Sequence, residues 1–246
     1  MRITGSTLLL CLCASWVGAQ ETTDESLTAW KALDAEYAKA RSDYYKPYYE
    51  ARKKGESIKL DPAGHPDLQF APRFAAFAEE HSGTEGALMA LAALLRARTP
   101  NTNYGEWALK TILKDHIESE SLVNIMFHIR SVRGPEGIAA YRVIATKSPH
   151  PRVRGMALLQ VGQLKKNEAP DEAKAALREV VAKYADEEYY RGHKLGPAAE
   201  GVIFEIEHLA VGMTAPEIVG EDIDGVPMKL SDFRGKVVLL DFWGDW

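Results

Sequence analysis

Chemistry needs particular residue types at particular spacings, and this chain of 246 residues offers few of them. Its two cysteines, Cys11 and Cys13, both fall in an apolar leader. Beyond residue 19 there is no thiol for redox, nucleophilic or thiolate-metal chemistry, and none for a structural disulfide. The seven histidines show no H-E-x-x-H or other metal-ligand spacing and read as surface or capping residues. Ser231 has no evident base partner and reads as a cap. No phosphate-binding glycine loop occurs. What remains is the close of the chain, where Asp241 ends an apolar run, with Phe242, Trp243, Gly244, Asp245 and Trp246 after it. What an acid beside two tryptophans can do depends on the elements that carry it.

Those elements begin at Val211, where the grammar of the sequence changes. The stretch 217–223 reads as a strand, Asp224-Gly225 as a hairpin turn and 226–230 as the return strand. Residues 231–235 read as a short capped turn. The run 237–242 is nearly continuously apolar, as expected of a strand buried on both faces. The domain boundary falls near Leu209.

Ahead of that boundary the pattern is helical from residue 25 to about 208. Leu27, Trp30, Tyr37, Tyr44 and Tyr48 recur at helical spacing and read as a packing stripe on one face. Pro47 is expected to end or kink this helix. Residues 61–66 form a turn-rich connector. Helices are expected over 72–80 and 85–98, with Thr84 as an N-cap. Further helices are expected from Asn103 on, then over 119–130, 135–146, 153–165, 171–184 and 198–209, with a polar loop at 186–197. Gly86-Ala87-Leu88 and Gly155-Met156-Ala157 align at an offset of sixty-nine, about twice a helix-pair period. The predicted architecture is therefore a mainly α domain of stacked α-hairpins, like tetratricopeptide or HEAT arrays, followed by the start of an α/β fold.

The first nineteen residues read as a signal peptide: Arg2 supplies the positive end, 8–17 the apolar core, and Val17-Gly18-Ala19 the small residues before cleavage. About ten apolar residues are too few to span a bilayer, and no later segment is apolar enough. The expected location is exported, periplasmic or extracytoplasmic. The formal net charge of −5 argues against a nucleic-acid partner, which calls for a basic face. The expected division is 1–19 signal peptide, 20–209 α-helical domain and 210–246 an incomplete redox-type domain.

That last assignment rests on a resemblance. "VGMTAPEIVGEDIDGVPMKLSDFRGKVVLLDFWGDW" resembles the start of thioredoxin-like redoxins, the TlpA-like exported thiol–disulfide oxidoreductases of the superfamily that also holds the thiol-specific antioxidants. Three elements, VG-x-x-APE, DG-x-P-x-x-L-SD-x-RGK and VVLLDFW-x-x-W, occur in the family's order and spacing. The helical region resembles, more loosely, the N-terminal extension of many exported bacterial members. The resemblance implies a thioredoxin fold and a C-x-x-C pair directly after the second tryptophan. It implies a thiolate at a helix N-terminus that attacks a disulfide, with a second cysteine resolving the mixed disulfide. Asp241 then matches the buried acid that accepts a proton from the resolving thiol, Trp243 belongs to core packing, and Trp246 shields the dithiol. Partners would be thiol- or disulfide-bearing exported proteins, a redox partner or peroxides. No cofactor and no metal is implied.

No catalytic residue is present, since the first would come after Trp246. Three readings of that position stand open: a fragment, a genuine stop with a vestigial redoxin segment, or a selenocysteine codon read as stop. They lead to two functions. One is an exported redoxin whose dithiol or selenocysteine–thiol pair lies further on. The other is a non-enzymatic α-hairpin scaffold for protein partners.

Overall fold

The computed structural model describes residues 14–132 and 134–242, with side chains from residue 25 onward. Most of the expected leader, including Cys11 and Cys13, lies outside the described residues, as do Trp243 and Trp246. The described part is mainly helical. It contains α1 (Ala14–Lys53), α2 (Pro66–Glu80), α3 (Glu85–Arg96), α4 (Tyr104–Asp115), α5 (Met126–Ile129), α6 (Pro135–Lys147), α7 (Pro151–Lys165), α8 (Pro170–Lys183) and α9 (Leu195–His208). Two antiparallel pairs accompany them, β1 (Glu188–Tyr190) with β2 (His193–Lys194) and β3 (Val219–Glu221) with β4 (Pro227–Lys229). Among the described residues no helix is long and apolar enough to cross a membrane.

Most helices pack on their neighbours in sequence, and the short α5 packs on α3. α3 lies against α1, α2 and α4, and α7 lies against α6, α8 and α9. Of the expected stripe on α1, Trp30 is buried and Tyr37 packs against the core, while Leu27, Tyr44 and Tyr48 are half-buried; Trp30 meets Phe74 and Phe77 at ring distances of 5.4 and 5.9 Å. The glycines of the faint repeat sit where helices approach closely. A Cβ on Gly86 would lie 2.5 Å from the Ser26 carbonyl oxygen on α1. One on Gly155 would lie 2.7 Å from Tyr184 Cβ and Leu195 Cδ1. At the far end Tyr141 is fully buried and its hydroxyl donates to the Met126 carbonyl at 2.5 Å. Exposed ion pairs tie helix to helix, Arg73 to Glu36, Arg142 to Glu172 and Arg178 to Glu207. Each contributes at most about 1 kcal/mol.

Several local expectations are corrected. Pro47 does not end α1. The hydrogen bond it removes would reach the Asp43 carbonyl, and both residues are exposed, so water can satisfy that oxygen. α2 begins at Pro66 rather than Pro72 because His65 caps it, its ring nitrogen accepting from the Asp67 N–H at 3.3 Å. Residues 119–130 do not form one helix. A 3-10 turn over Glu120–Asn124 precedes the short α5, and three residues per turn bring Leu122 and Ile125 onto one buried face. The expected polar loop at 186–197 contains the β1–β2 hairpin, turned by Arg191 and Gly192 at φ +48 and +82. Thr84 caps α3 as expected, its Oγ accepting from Ala87 N–H at 3.3 Å.

The largest correction is at 237–242. This run forms no strand and is exposed, with Val237, Leu239 and Phe242 at 103, 93 and 83%. A strand needs a neighbour for its backbone groups and a layer for each face. Neither β3 nor β4 pairs with it.

Candidate functional site

The C-terminal segment is built from local contacts. Asp222 shapes the β3–β4 turn: its Oδ1 accepts from the N–H groups of Asp224 and Val226, both at 2.9 Å. Gly225 takes φ +78 there, a conformation that glycine adopts at little cost. The strands pair Val219 with Lys229, Gly220 with Met228 and Glu221 with Pro227. A 3-10 turn over Leu230–Phe233 comes next, held by Asp232 Oδ2, which accepts from Lys229 N–H at 2.9 Å. Glu217 reaches across to accept from Ser231 N–H at 3.0 Å. Hydrogen bonds from Ser231 hold the Glu217 carboxyl below the usual carboxylate range. Ser231 is thus a partner of Glu217 through both its backbone N–H and its side chain.

The hairpin and capped turn expected from Asp224-Gly225 and from 231–235 are therefore both present. No described residue between 211 and 242 is buried, however. Asp241 is exposed, so the burial that a proton-accepting role calls for is not there. Trp243 and Trp246 lie outside the described residues, and the three supporting residues are not brought together. Among the described residues no three His, Cys, Asp or Glu side chains gather as a metal-ligand set.

A second polar constellation, which the sequence reading missed, sits between α1, the start of α2 and the end of α3. Asp67 is 3% exposed. Its Oδ1 accepts from the Tyr37 hydroxyl at 2.5 Å and its Oδ2 from the Arg98 backbone N–H at 2.5 Å. His65 stands beside it, with Nδ1 on the Asp67 N–H and Nε2 at 3.0 Å from the Tyr45 hydroxyl. Burial, then the hydrogen bond to Asp67, pushes the Tyr37 hydroxyl well above its ordinary pKa of 10.0. These groups line a cavity of about 250 Å³ together with Arg41, Ala93, Arg96 and Arg98. The sequence signals were a tyrosine on a packing stripe and an acid just after a turn-rich connector, ahead of the expected helix. Neither reveals that the two meet across thirty residues.

Comparison with known proteins finds similarity over short stretches. The thiol-disulfide oxidoreductase ResA of Geobacillus thermodenitrificans is 53% identical over 38 residues, which is 15% of this chain and 22% of the relative. ResA of Bacillus cereus is 40% identical over 47 residues, 19% of this chain and 27% of the relative. ResA of Bacillus subtilis is 48% identical over 40 residues, 16% and 22% of the two chains. The chain thus spans about a quarter of the length of these relatives. No family model matches it, and no solved structure matches it. At the level of family, these partial matches support a thioredoxin-like redoxin within a chain that is otherwise mainly helical.

Proposed function

We propose that this chain is part of an exported thiol–disulfide oxidoreductase of the redoxin class, with a helical N-terminal domain and a redox pair placed after Trp246 in the full protein. This reading is carried by the three linked elements in 211–246, which resemble the start of a redoxin, and is supported by partial relatives that are named thiol-disulfide oxidoreductases. Export rests on the leader-like residues 1–19. The substrates are thiols or disulfides of other exported proteins.

In the reaction a thiolate, or a selenolate, attacks one sulfur of a substrate disulfide. The substrate S–S bond breaks, a mixed bond forms and the other sulfur leaves as a thiolate. The resolving thiol then gives up its proton and attacks the mixed bond, releasing the reduced substrate and leaving the enzyme pair oxidised. Asp241 is the proton acceptor for the resolving thiol, a role it can fill once the remainder of the fold covers it. As the resemblance implies, Trp243 would belong to core packing and Trp246 would shield the pair.

A second reading is favoured by one observation. The buried core runs from Trp30 to Ala199 and takes nothing from 211–242. The helical domain is a structural unit without the redoxin segment and suits a scaffold that binds protein partners. One experiment separates the two. The codons after Trp246 are read in the genome and transcript, and the resulting full protein is assayed for disulfide reduction. A Cys or Sec codon after Trp246, with activity abolished by its replacement with Ser, supports the oxidoreductase. A stop with no redoxin sequence behind it leaves the scaffold.

A further inference from the structure

The cavity beside Tyr37 and Asp67 has a charge that its own structural needs do not explain. Three arginines, Arg41, Arg96 and Arg98, all solvent-exposed, line it, and Asp67 is the one acid among its lining residues. That carboxylate does not require them, because both its oxygens are taken by the Tyr37 hydroxyl and the Arg98 backbone N–H. None of the three arginines forms an ion pair with a described carboxylate. Among the other described arginines ahead of Leu209, Arg73, Arg142, Arg152 and Arg178 each hold a glutamate, whereas Arg52, Arg130, Arg154 and Arg191 hold none; what distinguishes Arg41, Arg96 and Arg98 is that they line one recess.

The arginines are also positioned. The Arg41 guanidinium carbon lies 5.7 Å from the centre of the Tyr37 ring. Arg96 is steadied by its Nε, which donates to the Ala92 carbonyl at 3.4 Å. Arg98 sits on a stretch of backbone that Asp67 pins. Tyr45 and His65, 3.0 Å apart through the hydroxyl and Nε2, also line the recess. A wider depression of about 450 Å³ shares Tyr37, Arg41, Tyr45 and Arg96 and is lined by Asp34 as well. Guanidinium forks match the oxygen pairs of carboxylates and phosphates, and a small polar recess concentrates their field.

We propose that this recess is a binding site for a small, doubly charged oxyanion, with Arg41, Arg96 and Arg98 as its cationic ligands and Tyr45 as a further hydroxyl. The chemistry is shared by a phosphate group and by a dicarboxylate. The site lies in the helical domain and does not depend on the redox reading of the C-terminal segment.

The test is calorimetric titration of the full chain, at low ionic strength, with inorganic phosphate and separately with succinate. Saturable one-to-one binding of either is expected, and the anion that binds names the source. R41Q and R96Q should each weaken it by about tenfold or more, the scale of one lost charge-assisted hydrogen bond. R234Q, a charge change in the C-terminal segment, should leave it unchanged. Circular dichroism melting of each variant shows that the fold is retained, and R98Q provides a third variant should one of the others melt early. Absence of saturable binding by both anions overturns the proposal. So does equal weakening by R234Q and R96Q, which would mark diffuse charge attraction instead of a site.

Discussion

The Tyr37 hydroxyl on α1 donates to the Asp67 carboxylate at the start of α2, at 2.5 Å and across thirty residues of chain. Asp67 is nearly inaccessible to water, so this bond and the Arg98 N–H are what make its burial tolerable. The same carboxylate thereby joins α1, the α2 cap and the end of α3 at one point.

Removing that donor should be felt in stability. The Tyr37→Phe substitution keeps the ring against Phe70 and Phe74 but leaves Asp67 short of a partner. A loss of about 2 kcal/mol is expected, since hydrogen bonds to charged groups contribute more than neutral ones. Urea unfolding followed by circular dichroism measures it. A change below a few tenths would mean that water replaces the hydroxyl.

Stability should fall at both ends of the pH range. Burial pushes the Tyr37 and Tyr141 hydroxyls above their ordinary 10.0. Their contribution is complete below pH 10 and is lost as the pH rises beyond it, because the unfolded chain ionises first. His116 and His128 are held below their ordinary 6.5, mainly by burial, and in His128 also by the Arg96 charge. There the unfolded chain takes up protons that the folded chain refuses, so stability is present above pH 6.5 and declines as the pH falls. Melting temperature against pH should form a plateau between these limits. A flat profile down to pH 5 would contradict the histidine assignment.

Two glycine-to-alanine changes should move stability in opposite directions. At Gly86 the new methyl would meet the Ser26 backbone, which cannot yield, and overpacking of this kind costs about 1–3 kcal/mol. At Gly201, inside α9, nothing lies within 4 Å, so alanine should stabilise by about 0.5–1 kcal/mol through helix propensity. Thermal melts of G86A and G201A check both signs.

The helices were legible where periodicity and caps agree, as at α3, which Thr84 starts and whose Leu88, Leu91 and Leu95 are buried. Prolines misled, because Pro47 and Pro72 sit where the lost backbone bond is tolerated. The β3–β4 hairpin was legible because its turn is set by Asp222 and Gly225 alone. The run 237–242 was not, since an apolar sequence states a preference for burial and cannot supply the layers that bury it. The Asp67 cluster was hidden for a related reason: its partners are thirty and thirty-one residues away and meet only through packing.

Protease sensitivity should track that division. The helical domain carries the core, while 211–242 exposes its backbone and several large apolar side chains. Limited trypsin or thermolysin treatment of the chain is expected to trim it back to near Leu209 and stop. A resistant C-terminal segment would mean that this stretch folds on a surface of its own.

A redox role for this protein requires a thiol or selenol after Trp246, and the mass of the native protein reads that residue. Antibodies to the helical domain would recover the protein from its source, and intact-mass and peptide spectra would read its C-terminus. The redoxin account predicts a mass well above 27.2 kDa and a peptide in which Cys or selenocysteine stands directly after Trp246. A native protein that ends at Trp246 would contradict it and leave the helical scaffold as the working form.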